Sequence, residues 1–446
     1  MTARSLSWAG IVRLGLVQTA LGAIVVLTTS ALNRVMIVEL ALPATLPGLL
    51  VALHYAVQMM RPRMGHGSDM GGRRTPWIIG GMAVLAAGGT LAAVATAWMA
   101  TDAVAGILLA VVAFVLVGLG VGAAGTVLLV LLASRTAPER RPAAASIVWI
   151  MMIAGFVVTT AAASRLLDPY SPQRLVAVCA GVSAAAFLLA LIAVRGVERS
   201  VAPQAVERRP AQVPFRHALA QVWAEPESRR FTVFVFVSML AYSAQDLVLE
   251  PFAGAVFGRT LGESTRLASL QHGGVLAGMI LVAVAGSAFD GHRVAALKIF
   301  TIGGCLSAAA AMLGLAAAGF IGEAWPLATS YFALGLANGV FAAGAIATMM
   351  QLVGRGREAR EGVRMGLWGA AQAIAFGLGG LVGAAALDVA RLALGSTVGG
   401  YAAVFVGDAA LFLIAAWLAL GIARRRAAGA AAGAAAGAAA GGGVER

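Results

Sequence analysis

The chain has 446 residues, of which 60% are hydrophobic and only 11% charged, with a net charge of +13. Soluble domains carry roughly 25% charged residues, so this chain cannot cover a water-facing surface with charge, and its mean hydropathy of +0.89 points to a bilayer as its solvent. The excess positive charge does not imply nucleic acid, because the basic residues, all Arg except Lys298, fall in short clusters between apolar runs, as membrane topology requires.

A membrane-spanning helix needs about 20 mostly apolar residues. The runs here are continuous rather than alternating, which favours helices over a membrane barrel. In chain order they predict twelve spans, at about 14–32, 43–60, 76–99, 103–133, 145–163 and 173–194, then 231–249, 266–288, 294–318, 326–353, 362–387 and 400–422. Met1–Arg13 is short and amphipathic, and no cleavable signal peptide is expected. With both termini placed in the cytoplasm, the cytoplasmic segments hold 26 basic residues and the opposite side 6, a bias that sets the expected orientation. Cys179 and Cys305 lie inside apolar spans, outside any metal-binding spacing, and are expected to be packing residues.

Residues 1–194 form an N-terminal six-helix half and 231–422 a C-terminal one. Between them, 195–230 is a charged, Pro-containing cytoplasmic linker. Within it Phe215, Leu219, Val222 and Trp223 share a helical face, which fits either a short interfacial helix or an irregular loop. Residues 423–446 are Ala/Gly low complexity and are expected to be a disordered cytoplasmic tail. The halves read as repeats. Gly65-x-x-x-Asp69 and Gly286-x-x-x-Asp290 are offset by 221 residues, and the basic loops beginning at Arg135 and Arg355 by 220.

The loop Gly65-His66-Gly67-Ser68-Asp69-Met70-Gly71-Gly72-Arg73-Arg74 resembles the signature of the major facilitator superfamily, departing from it at Met70, where that family carries a base. Its second-half counterpart is Gly286, Asp290 and Arg293. Glycines permit the tight turn, and the aspartate can cap a helix or pair with Arg across the halves. A purely topogenic turn is the plainer alternative. The resemblance implies an all-α membrane protein, with twelve transmembrane helices in two pseudo-symmetric six-helix bundles. It also implies a multi-pass bacterial inner membrane protein.

A narrower resemblance rests on Arg13-Leu14-Gly15-Leu16-Val17-Gln18, Leu32-Asn33-Arg34-Val35-Met36-Ile37-Val38-Glu39-Leu40, Gln245-Asp246-Leu247-Val248-Leu249-Glu250-Pro251 and Gly366-Leu367-Trp368-Gly369-Ala370-Ala371-Gln372. These strings resemble the bacteriochlorophyll-delivery family, the PucC- and LhaA-like proteins. The resemblance implies a bacteriochlorophyll, a Mg-containing pigment, as the bound group. It implies antenna polypeptides, and reaction-centre or pigment-synthesis proteins, as partners beside membrane lipid.

Asn33, Arg34 and Glu39 fall at the outer end of span one, and Gln245, Asp246 and Glu250 at that of span seven. Ionisable groups in spans usually face a cavity or a partner, so an Arg34–acid network gating the outer side is one reading. Anchoring in interfacial water is the other. His54 in span two and His272 in span eight are 218 residues apart, near-equivalent in the two halves. A neutral imidazole can ligate Mg, shuttle a proton or simply hydrogen-bond at a helix interface. Glycines crowd spans four and eleven, for close packing or to leave a groove for a flat ligand. No Walker, Rossmann, zinc or nucleophile-elbow motif stands in a suitable context, so no enzyme is expected. Three functions remain: pigment-handling assembly factor, proton-coupled transporter of a small amphipathic solute using Glu39, Asp246 or Glu250, and ligand-free scaffold.

Overall fold

A bilayer offers the backbone no hydrogen-bond partner, so each apolar run closes its bonds internally as a helix. The computed structural model describes residues 6–61, 64, 73–137, 140–198, 220, 223–288, 293–353 and 361–441. Among these residues eleven helices are long and apolar enough to cross a membrane, and one shorter apolar helix completes the expected twelve. They are α1 (Trp8–Glu39), α2 (Thr45–Met60), α3 (Thr75–Trp98), α4 (Ala103–Arg135), α5 (Arg141–Leu166) and α6 (Pro172–Val194). The second half comprises α7 (Pro226–Phe257), α8 (Leu261–Ala288), α9 (Arg293–Ile321), α10 (Leu327–Val353), α11 (Glu361–Leu394) and α12 (Thr397–Gly441).

Local chemistry sets the boundaries. The Ser7, Asp102 and Ser171 side chains cap α1, α4 and α6, accepting N–H bonds from Gly10, Ala105 and Arg174 at 3.2, 3.0 and 3.1 Å. Pro172 and Pro226 open α6 and α7, where a missing N–H costs nothing. Gly258, at φ +62°, ends α7 in the left-handed region.

Three sequence boundaries are corrected. Helix α1 runs on past residue 32 through a π-helical turn at Val35–Glu39, so Asn33, Arg34 and Glu39 ride on continuous helix. Helix α7 begins at Pro226, inside the stretch assigned to the linker. The tail expected to be disordered continues α12 as helix to Gly441, since alanine has the best helix propensity and outweighs the interspersed glycines. Residues 199–219 and 221–222, most of the proposed interfacial helix, lie outside the described residues.

The packing is duplicated. In the first half α3 lies against α4 and α6, α1 against α5 and α6, and α2 against α4. In the second half α9 lies against α10 and α12, α7 against α11 and α12, and α8 against α10. Between the halves α5 packs on α8 and α2 on α11, again a matched pair. We call the end of the bundle away from the Arg-rich loops the outer face. The halves share apolar core there. The outer core of the first half takes in Leu247 and Leu261, and the core of the second takes in Ile37 and Ala44. The inner core of the first half, from Leu6 and Ile11 to Leu131 and Val194, draws on no residue of α7–α12.

Glycine sets how closely these helices approach. A Cβ at Gly335 on α10 would lie 1.9 Å from the Gln271 carbonyl oxygen, and one at Gly118 on α4 would lie 2.6 Å from that of His54. Gly118 and Gly120 of α4 and Gly379 and Gly383 of α11 therefore serve close packing; a Cβ at Gly379 would stand 2.5 Å from the Leu240 carbonyl oxygen. Gly335→Ala is expected to push α8 and α10 apart and destabilise the protein by about 1–3 kcal/mol. Gly303→Ala, where a Cβ meets open space, is expected to be neutral or slightly stabilising. Thermal unfolding of the two variants in detergent checks both.

Candidate functional site

The outer polar residues meet across the seam between the halves. Arg34 on α1 is 2% exposed and pairs with Glu39, one π-helical turn further on. Its Nη2 donates to the Arg259 carbonyl, just beyond α7, at 2.6 Å. Asn33 Nδ2 donates to the Leu247 carbonyl, and Ser30 Oγ donates to Glu250 Oε2. Gln245 is fully buried beside them. Anchoring in interfacial water is thus overturned for Asn33, Arg34 and Glu250, which bond across the halves, and Gln245 is buried with no side-chain hydrogen-bond partner among the described residues. Charge-assisted bonds of this kind are the strong ones, and they explain how a guanidinium tolerates an apolar seam.

Deeper in the membrane, Asp246 is half-buried one helical turn from Glu250. It sits beside Gln271 of α8 and near Tyr55 of α2 and Tyr242 of α7. The Phe376 ring of α11 lies 5.7 Å from Tyr55 and 5.9 Å from Tyr242, so the two halves together build an aromatic face. The sequence reading missed these three rings, because single aromatics in apolar spans give no signal until the helices are placed. It also missed Asp408, a buried carboxylate on α12 whose only signal is one acid in a long apolar run. Asp168 and Asp388, which fasten the halves on either flank, were missed as well.

The two histidines lie on equivalent helices, His54 on α2, where its carbonyl faces Gly118 of α4, and His272 on α8, against Phe156 at the seam with α5. Their surroundings differ. The Nε2 of His54 lies 2.8 Å from the Gln58 amide nitrogen, and the Gln58 oxygen accepts from Arg61. The amide therefore donates, and that imidazole nitrogen is already engaged. His272 packs edge-on against Phe156 at 5.1 Å, and its Nδ1 has no hydrogen-bond partner among the described residues. Among the described residues no group of three or more His, Cys, Asp or Glu is placed to hold a metal ion.

Of the basic-face loop motif, Gly65, Asp69, Gly72 and Asp290 lie outside the described residues. Gly286 is helical near the end of α8, and Arg293 opens α9. Arg73 and Arg74 precede α3, whose first turn is capped from across the half by Glu198. Its carboxylate accepts from the Arg74 and Thr75 N–H groups at 2.8 and 2.9 Å and from Thr75 Oγ1 at 2.8 Å. Partial burial acts to raise the Glu198 pKa. The three bonds and the nearby Arg135 charge outweigh it and hold the carboxyl below its ordinary value.

Twelve helices, duplicated packing and a polar seam between the halves define a membrane protein of major facilitator fold. A peptide transporter, POT, in complex with sulfate superposes with a TM-score of 0.68 at 16% identity, covering 95% of this chain and 97% of that one. A bacterial homolog of the human lysosomal transporter Spinster, inward-facing and unoccupied, gives 0.65 at 16% identity over 93% and 96% of the two chains. At that identity the likeness shows the fold alone. Residues 31–427 match the PUCC protein family, and the chain belongs to it. A Rhodobacter capsulatus protein named "Bacteriochlorophyll synthase 44.5 kDa chain" is 50% identical over 424 residues, covering 95% of this chain and 97% of that one. Protein PucC of Cereibacter sphaeroides is 30% identical over 385 residues, covering 82% and 81% respectively.

Arg34→Leu strands Glu39 and the Arg259 carbonyl. It is expected to cost on the order of 2–3 kcal/mol, more than Glu39→Gln, whose partially exposed site rehydrates. Chemical or thermal unfolding of the two variants measures the difference. For Glu198 the lowered folded pKa fixes the sign. Its stabilisation is complete above the unfolded carboxylate value near ~4.3 and is lost as pH falls through the lower folded value. The Tm gap between wild type and Glu198→Gln should therefore be present at neutral pH and vanish in acid.

Proposed function

We propose that this protein handles a bacteriochlorophyll-type pigment in the bacterial inner membrane, with both termini cytoplasmic, and supplies it to light-harvesting complexes or assists their assembly. Membership of the PUCC family over residues 31–427 carries this reading. The 50% identity to a protein named for bacteriochlorophyll synthesis supports it. So does the aromatic face of Tyr55, Tyr242 and Phe376 at the seam, since a flat macrocycle stacks on rings and needs few polar contacts. Antenna polypeptides and pigment-synthesis proteins are the partners this reading requires.

The residues present fit a Mg pigment unequally. Both imidazoles have an Nδ1 with no hydrogen-bond partner among the described residues, but Gln58 pins the His54 ring through its Nε2, whereas the His272 ring lies edge-on against Phe156 at the α5–α8 seam, where opening of that seam would admit a pigment ring. When bound, the pigment supplies its own Mg and macrocycle. The chain would supply the His272 imidazole nitrogen, aromatic contact from Tyr55, Tyr242 and Phe376, and exclusion of water. The name of the Rhodobacter capsulatus relative speaks of a synthase. We read the present chain as a handling protein, because residues 31–427 match the PUCC family and the helices pack in a transporter fold. New pigment formed by the purified protein alone would overturn that part.

One observation favours a second reading, a proton-coupled transporter: Asp246 is half-buried at the seam between two tyrosines, while Glu250 and Glu39 already hold Ser30 and Arg34. Asp246→Asn would then abolish proton-driven uptake into vesicles and leave pigment content unchanged.

Purification in mild detergent from a pigment-making host tests the leading reading. Wild type is expected to carry pigment, His272→Phe to lose most of it and His54→Phe to keep it. Colourless wild-type protein that also brings down no antenna or pigment-synthesis protein refutes the function. Equal pigment in both variants refutes only the ligand assignment.

A further inference from the structure

We propose that Asp168 and Asp388 are the two clasps of one outer gate, each a carboxylate of one half holding the first turn of a helix of the other. Asp168 follows α5. Its Oδ1 accepts from the Gly262 N–H at 3.0 Å and its Oδ2 from Thr260 Oγ1 at 2.6 Å, both at the start of α8. Asp388 lies near the outer end of α11. Its Oδ1 accepts from the Ala44 N–H at 3.0 Å, and its Oδ2 accepts from the Thr45 N–H at 2.7 Å and from the Thr45 hydroxyl, at the start of α2. The first N–H groups of a helix have no partner within it and carry the positive end of its dipole, so a carboxylate arriving from across the seam is a strong fastening.

The two contacts are copies of one device. Leu167-Asp168 and Leu387-Asp388 stand 220 residues apart, the offset that also separates the basic loops at Arg135 and Arg355. In both, the leucine is buried and a threonine hydroxyl donates to the carboxylate alongside a backbone N–H. In both, a glycine lets the backbones touch. A Cβ at Gly262 would sit 2.2 Å from the Ser164 carbonyl oxygen and 2.4 Å from Asp168 Oδ2, and one at Gly48 would sit 2.9 Å from the Ala384 Cβ. The pseudo-symmetry puts the clasps on opposite flanks, at the α5–α8 and α2–α11 contacts, with the Arg34 network between them. Any motion that parts the halves at the outer face must break both. After loss of one, the other still holds the outer face shut, so the two act non-additively.

The test uses the full-length protein in lipid nanodiscs and needs no pigment, so its outcome is independent of the function proposed above. In a Cys179→Ala, Cys305→Ala background, Ala31→Cys places a thiol at a position that is fully buried at the outer end of α1. A spin-label pair at Val104→Cys and Leu392→Cys, both exposed and on different halves, reads the outer separation. D168N and D388N singly are expected to raise the maleimide reaction rate of the buried thiol only slightly. The double variant is expected to raise it about tenfold or more and to add a longer component to the distance distribution. T45V/T260V, which removes the two hydroxyl donors and the Thr260 cap on the Glu263 N–H but leaves both carboxylates and their backbone N–H donors, shifts both readouts the same way by less. A folded double variant with unchanged rate and distance overturns the proposal, as does a single variant that opens as fully as the double. If the double variant does not fold, T45V/T260V decides: no shift in either readout overturns it.

Discussion

Burial of the Arg34 guanidinium constrains much of the rest of the structure. A charge enclosed at an apolar seam is tolerated only when its donors are met. Its own helix supplies Glu39 and the other half supplies the Arg259 carbonyl. The halves must therefore be docked at the outer face for Arg34 Nη2 to find its acceptor. The π-helical turn brings Glu39 round to the guanidinium, and Gly254 gives it room, since a Cβ there would stand 2.9 Å from Arg34 Nη2. Ser30 with Glu250 and Asn33 with Leu247 extend the same closure along α1 and α7.

Duplication supplies the scaffold and departures from it supply the chemistry. Every extensive helix contact of the first half has a counterpart in the second. The polar groups do not follow. Helix α1 carries a buried base near its outer end, whereas the matching stretch of α7 carries two acids. The paired histidines sit on equivalent helices, but one is tied into an amide–guanidinium chain and the other lies against a phenylalanine. Equivalent helices thus present different polar groups.

The shared outer core and the separate inner core of the first half describe a molecule closed at one face. The rings of Tyr55, Tyr242 and Phe376 belong to three helices drawn from both halves, so the face they make exists only while the halves are together.

The sequence by itself determined the solvent, the helix count and the duplication, because each is written in runs of about 20 residues or in a repeat spacing that needs no contact to be read. It also located Asn33, Arg34, Glu39, Asp246 and Glu250, since a polar residue in an apolar run is conspicuous whatever it touches. It did not determine that Arg34 would be sealed between the halves, because burial at a helix end depends on what docks there. The roles of Asp168 and Asp388 were equally hidden: an acid near a span end reads as water-facing until the first turn of another helix is brought within 3.0 Å of it. The difference between His54 and His272 was decided by neighbours on their own and adjacent helices, Gln58 and Phe156, whose side chains meet the imidazoles only after the helices pack. The course of the chain is set by local hydrophobicity, and the pairing of its few polar groups is set by which helices the tertiary structure places face to face.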